Sequence, residues 1–225
     1  MNELLHALSN TKSLKLDICN DLLWAFEELK NLDKLRFLRE LELIIAQPRI
    51  TDHLFDALST SCKLLERLIL RSTRIFVRQS LVCEQITNQG VAALSKLTKL
   101  WEFLPRRPPS KTLINDGLCQ LAECGRLIQV DLSPKLLTRS TIIACMKHCP
   151  KLRNLRVGRV EGLETVEAAV ALLHEFEGFM HRQTFLKILI HNRFWEIWQS
   201  KAVVAAFNQI NSSAEGPRLW IAAQD

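Results

Sequence analysis

The sequence predicts an α/β fold: a right-handed solenoid of strand–helix units, with parallel strands on a concave side and helices on a convex side. Three observations predict it. A short apolar pair of the form L-x-L recurs at near-constant spacing. From the second copy on, a further apolar residue stands three positions before each pair. A stretch with helical apolar spacing leads into most of these strands. One such unit cannot bury its own apolar face, and stacking the units makes a continuous core.

The pairs are Leu14/Leu16, Leu41/Leu43, Leu68/Leu70, Val130/Leu132, Leu155/Val157 and Ile188/Ile190, with a weaker copy at Phe103 followed by Pro105. Their first members are separated by 27, 27, 35, 27, 25 and 33 residues. A base period near 27 with insertions is the economical reading. The alternation suits a short strand with one buried face. Leu38, Leu65, Leu100, Leu127, Leu152 and Phe185 precede the later pairs by three.

Helical spacing appears in Leu54, Phe55, Leu58 and Cys62, then Val91, Leu94 and Leu97, then Leu118, Leu121 and Cys124. Thr51-Asp52, Thr87-Asn88 and Asn115-Asp116 offer side-chain oxygens to the first helical turns. Two insertions are expected, near 71–85 and near 105–111. The second, Pro105-Arg106-Arg107-Pro108-Pro109-Ser110, reads as a rigid turn rather than a central strand. Residues 1–192 form the solenoid in this reading. Residues 193–225, with aromatic Phe194–Trp198, a helix over Ala202–Ile210 and strand-like Leu219-Trp220-Ile221, close it as part of the same domain.

The repeat residues resemble a known family. Ile50-Thr51-Asp52…Leu54…Ala57-Leu58…Cys62-Lys63…Leu65…Leu68-Ile69-Leu70 resembles the cysteine-containing leucine-rich repeat of F-box/leucine-rich-repeat substrate receptors of ubiquitin ligases. Ile114-Asn115-Asp116…Cys124…Leu127…Val130-Asp131-Leu132 and Ile142…Cys149-Pro150-Lys151-Leu152…Leu155-Arg156-Val157 repeat the pattern. The resemblance implies a ribonuclease-inhibitor-like solenoid that binds proteins, with a ubiquitin-pathway role in substrate recognition. No stretch resembling an F-box stands ahead of the repeats. Leu97 replaces the helix-end Cys of the fourth unit. Cys62, Cys124 and Cys149 are expected where a helix turns into the next strand, with Cys19 in the loop after the first strand.

Composition bounds the function. Apolar residues make up 48% and charged residues 24% of the 225 positions, an ordinary globular balance. Seven scattered cysteines and no signal-peptide-like start suggest reduced thiols and a cytoplasmic or nuclear location. No apolar run is long enough for a membrane-spanning helix. The six histidines lie outside any nucleophile or metal motif. Cys145-Met146-Lys147-His148-Cys149 supplies at most three zinc ligands, and a buried helix face explains the two cysteines better. Cys83, in the first insertion, is the candidate for an exposed thiol. The chain is therefore expected to be non-catalytic, without metal or cofactor.

Charge locates the candidate site. Residues 1–66, 67–160 and 161–225 carry net charges of −3, +12 and −3. Residues flanking the L-x-L positions face away from the core, which exposes Arg67, Ile69 and Arg71 on the third strand, Leu104 and Arg106 on the fourth, and Arg156 on the sixth. Arg grips carboxylate or phosphate bidentately, and Ile69 and Leu104 would add apolar contact. These six residues are the expected binding patch for a protein partner with an acidic or phosphorylated segment. The competing expectation is that the arginines merely pair with Glu66, Glu102 and Asp131. The alternative function is binding of nucleic acid or another polyanion through the basic middle segment.

Overall fold

A computed structural model describes residues 8–18, 35–45, 51–72, 86–106, 115–163, 165–179, 186–191, 195–212 and 219–224. Among the described residues, eight strands form one sheet in sequence order, and every neighbouring pair is parallel. They are β1 (Ser13–Ile18), β2 (Glu40–Ile45), β3 (Arg67–Ser72), β4 (Glu102–Arg106), β5 (Gln129–Leu137), β6 (Asn154–Val160), β7 (Leu186–His191) and β8 (Leu219–Gln224). Every L-x-L pair of the sequence lies in one of β1 to β7.

Parallel neighbours need a crossover between them. Helices supply it: α1 (Asp52–Ser61), α2 (Asn88–Ala93, prolonged by a 3₁₀ turn Leu94–Lys96), α3 (Asn115–Glu123), α4 (Arg139–His148) and α5 (Val166–Glu177). After β7 come α6 (Trp195–Trp198) and α7 (Lys201–Ser212). Helices α1 to α5 pack on one another in sequence, and α7 packs on α5, so they make one layer beside the sheet. The core lies between the layers. Leu41, Leu43, Leu68, Leu70, Phe103, Val130, Leu155 and Ile188 are buried from the strands, facing Leu54, Phe55, Leu58, Val91, Leu118, Leu121 and Ile142 from the helices. Phe55 and Phe103 meet edge to face, with centroids 6.5 Å apart.

Helix starts are linked from unit to unit. Thr87 N–H and Oγ1 donate to the two oxygens of Asp52 (2.8 and 2.6 Å). Gly117 N–H donates to Asn88 Oδ1 (3.0 Å). Thr138 N–H and Thr141 Oγ1 donate to Asn115 Oδ1 (3.1 and 2.6 Å). Two expected caps therefore differ: Thr51 makes no side-chain bond to its own helix, and Asn115 reaches the next helix start. The amide or carboxylate stacks forward because the following unit brings unpaired first-turn N–H groups close to it. Thr87 does cap its own helix, accepting from Gln89 N–H.

The helix-end cysteines have a parallel role. Cys149 Sγ donates to Ala122 O (3.3 Å) and Cys124 Sγ to Ser95 O (3.4 Å), each one unit back. Cys62 and Cys149 are fully buried, whereas Cys124 is half-buried. Burial pushes the Cys62 thiol from 9.0 up to about 12. Cys145 is buried beside Cys149, and His148 is half-buried. Cys19 and Cys83 lie outside the described residues, as does the rest of the insertions expected near 71–85 and 105–111 beyond Arg71 and Ser72 of β3 and Pro105 and Arg106 of β4.

The strand at Pro105 corrects the expected turn. β4 continues through Pro105 and Arg106, pairing Leu70 with Pro105 and Arg71 with Arg106. Its pairing with β5 is confined to Glu102–Gln129 and Phe103–Val130. A proline lacks the N–H that one neighbour would receive, so the strand keeps its register on one side and loses it on the other. Residues 219–224 add β8 along the full length of β7, from Leu186–Leu219 to His191–Gln224.

Candidate functional site

Strand residues that do not enter the core stand on the opposite face of the sheet, which no described helix covers and which is called the open face, where the register arranges them in rows. One row runs Ser13, Glu40, Arg67, Glu102, Gln129, Asn154 and Lys187 from β1 to β7. The next contains Lys15, Glu42, Ile69 and Leu104, with Asp131 beside Arg156 further along. In a third, Arg71 is the partner of Arg106. Arg67, Arg71 and Arg156 thus belong to one face, as the strand alternation requires.

Each of these three arginines meets a carboxylate of a neighbouring strand. Arg67 Nε contacts Glu102 Oε2, and its Nη1 lies 3.3 Å from Glu40 Oε1. The hydrogen bond that Arg67 donates to Glu102 holds its guanidinium more firmly protonated; burial opposes this, and the charge of Glu102 and the bond and charge of Glu40 add to it. The guanidinium also lies 5.8 Å from the centre of the half-buried Trp101 ring. Arg71 Nε lies 2.9 Å from Glu42 Oε1, two charges in contact without hydrogen-bond alignment. Lys15 reaches the same Glu42 oxygen at 3.5 Å. Arg156 Nη1 lies 3.4 Å from Asp131 Oδ2. Asp131 and Glu102 are buried, while the arginines keep about a third or more of their side-chain surface open.

The pairing expected with Glu102 and Asp131 is present. Glu66 instead takes Arg39, at 3.0 Å, on the edge of the sheet. The acidic partners Glu40 and Glu42 were missed, although a signal exists. Lys15/Glu42, Arg39/Glu66 and Glu40/Arg67 are each 27 residues apart, the repeat length itself, which puts them side by side on adjacent strands.

The exposure expected of Ile69 and Leu104 is corrected. They are neighbours across β3 and β4, 8% and 2% exposed. Both stand in the middle row, flanked by Arg67 and Arg71 on β3 and by Glu42 on β2. The side chain of Arg106 lies outside the described residues. Among the described residues, no group of three His, Cys, Asp or Glu converges as a metal site.

No protein-family model matches the chain, and no curated protein matches its sequence. Among solved structures, actin-binding site 2 of leiomodin-1 aligns with 86% of this chain and 91% of its own length, at 12% identity and a TM-score of 0.38. The fold described above stands on the strand register and burial of this chain alone. No helix among the described residues is long and apolar enough to cross a membrane.

Proposed function

We propose that the chain is a non-catalytic protein-binding scaffold, a right-handed solenoid whose open sheet face is concave and receives the partner. The observation that carries this reading is the open face itself. Among the described residues, helices cover one side of the sheet, and the other presents half-exposed arginines beside buried Glu102 and Asp131 and partly open Glu40 and Glu42. The general right-handedness of crossovers between parallel strands of one sheet supports the handedness. Substrate recognition in a ubiquitin-ligase context is the family-level form of the proposal, and it rests on the resemblance of the repeat residues.

These pairings sharpen the expected partner. An acidic segment would compete with Glu40, Glu42, Glu102 and Asp131 for guanidinium groups that they already hold. A phosphorylated segment has the advantage, because a phosphate monoester carries roughly −1.5 to −2 charges and three acceptor oxygens. Arg67, Arg71 and Arg156 can each accept such a group without leaving the sheet face. The test is capture of partners on immobilised chain, with and without phosphatase treatment of the extract, comparing wild type with Arg71→Ala/Arg156→Ala. Proteins lost on phosphatase treatment and lost with the double variant support the reading. Equal recovery by a double variant of unchanged melting temperature overturns the assignment of the face.

A further inference from the structure

The turns that join each helix to the next strand line one edge of the sheet. A backbone ladder fixes their register: Arg39 N–H donates to Lys12 O (2.7 Å), Glu66 to Arg39 (2.7 Å), Trp101 to Glu66 (3.0 Å), Ile128 to Trp101 (2.8 Å) and Arg153 to Ile128 (2.8 Å). Two positions before the last three donors stand Lys99, Arg126 and Lys151, each directly ahead of a buried leucine (Leu100, Leu127, Leu152). The same repeat position thus carries a cation in three successive units. Adjacent parallel strands lie ~4.8 Å apart, so the three charges follow one another along the edge at about that interval.

Like charges side by side on neighbouring strands oppose folding. Here nothing described offsets them: among the described residues, no carboxylate pairs with Lys99, Arg126 or Lys151. The contrast is with Arg67, Arg71 and Arg156, each held by a carboxylate. Lys96 at the end of the 3₁₀ turn, Lys147 in the last turn of α4 and Arg153 in the turn before β6 are also exposed, as is the acidic Glu123 at the end of α3. The leucines of these turns are buried, and the apolar side chains left half-open there are Trp101 and Ile128.

We propose that this edge binds the phosphodiester backbone of single-stranded nucleic acid, with Lys99, Arg126 and Lys151 on successive phosphates and Trp101 as a stacking surface. A protein interface centres on buried apolar anchors, which turns with inward-facing leucines do not supply. A nucleic-acid backbone needs a file of cations and an aromatic face, and both are present. The three cations are distinct from the open-face arginines, but Trp101 adjoins Arg67 of that face, so the Lys99, Arg126 and Lys151 variants are what test this edge apart from the open-face reading.

The experiment is fluorescence anisotropy of a labelled oligo-dT of ~20 nucleotides against the full chain over a salt series. Binding should weaken with salt, and Lys99→Glu/Arg126→Glu/Lys151→Glu should lose at least ~10-fold in affinity, with a log–log salt slope smaller by ~2. Lys99→Gln and Lys151→Gln, taken singly, keep the test open should the triple variant misfold; each should lower the slope by ~0.7. Lys201→Gln, at the exposed start of α7, should bind as wild type. Three results would overturn the proposal: no binding by the wild type, an unchanged slope in the folded edge variants, or equal competition by polyglutamate, which would assign the edge to an acidic protein segment.

Discussion

Gly117→Ala tests how tightly the units are stacked. In an isolated helix the substitution would stabilise, by ~1 kcal/mol, because alanine loses less backbone entropy. In this chain a Cβ on Gly117 would lie 2.4 Å from Asn88 O and 2.9 Å from Val91 Cβ. The first contact is backbone, which no side-chain rotation relieves. α3 would have to retreat from α2 by roughly 1 Å to reach ordinary contact, a displacement of the kind that costs ~1–3 kcal/mol in a packed interior. The same retreat stretches the Gly117 N–H···Asn88 Oδ1 bond, worth ~1 kcal/mol. The sign therefore reverses, to a net destabilisation of ~2 kcal/mol and a fall in melting temperature of ~4–8 °C for a chain of this size. Gly178→Ala is the control. Its φ is −62° and its nearest contact is Glu175 O at 3.5 Å, so it should leave stability within ~0.5 kcal/mol. Thermal melts followed by circular dichroism decide the matter. A Gly117→Ala protein as stable as wild type, or as stable as Gly178→Ala, would refute the close stacking of α2 on α3.

Three further outcomes are expected. Leu68→Asp places a charge in the centre of the core, where Leu68 has no exposure; a loss above ~4 kcal/mol should leave aggregated or unfolded chain in gel filtration. Arg67→Ala leaves Glu102 buried without its guanidinium and should cost ~1–3 kcal/mol in urea unfolding, less than a fully buried pair because Arg67 is one-third exposed. Adding Glu102→Gln to that variant should recover much of the loss. Cys62 is neutral when folded up to about 12, whereas the unfolded thiol ionises from 9.0. The folded chain then holds the extra proton, so stability should fall as pH rises through that window, by at most ~1.4 kcal/mol per pH unit. A shallower decline in Cys62→Ala between those values, read by denaturant midpoints, checks the assignment.

The strands were legible because alternation and period act together. Leu41/Leu43 and Leu68/Leu70 could be read in one register only, since a slip by one residue would expose every leucine. The fate of Pro105 was less legible: its missing N–H weakens one neighbour's ladder, and which neighbour depends on the register. Ile69 and Leu104 were placed on the correct side of their strands, yet their burial was hidden. Strand alternation says which way a side chain faces and not what lies over it. The Arg67–Glu40 pair follows from a repeat length that puts residue i beside residue i+27. Arg67–Glu102, by contrast, crosses the longer third interval, and Arg71–Glu42 is diagonal to the register. Thr51 shows the same limit at a helix start. Its capping potential was clear, but Asp52 found a stronger set of donors in the following unit.

The positive charge of the middle third divides by position in the repeat. On the strands, a cation faces whatever the previous and following units place in its row, and the rows of β2 to β6 bring Glu40, Glu42, Glu102 and Asp131 against Arg67, Arg71 and Arg156. That pairing ties neighbouring units together and leaves little net field on the open face. In the turns, the same repeat logic lines up Lys99, Arg126 and Lys151 with one another. Stacking concentrates like charge there as effectively as it cancels opposite charge on the strands. A solenoid core constrains the leucines of each turn but not the residue ahead of them, so three cations at that position are no consequence of folding. They work against it, and a bound polyanion is the circumstance in which the same three charges become favourable.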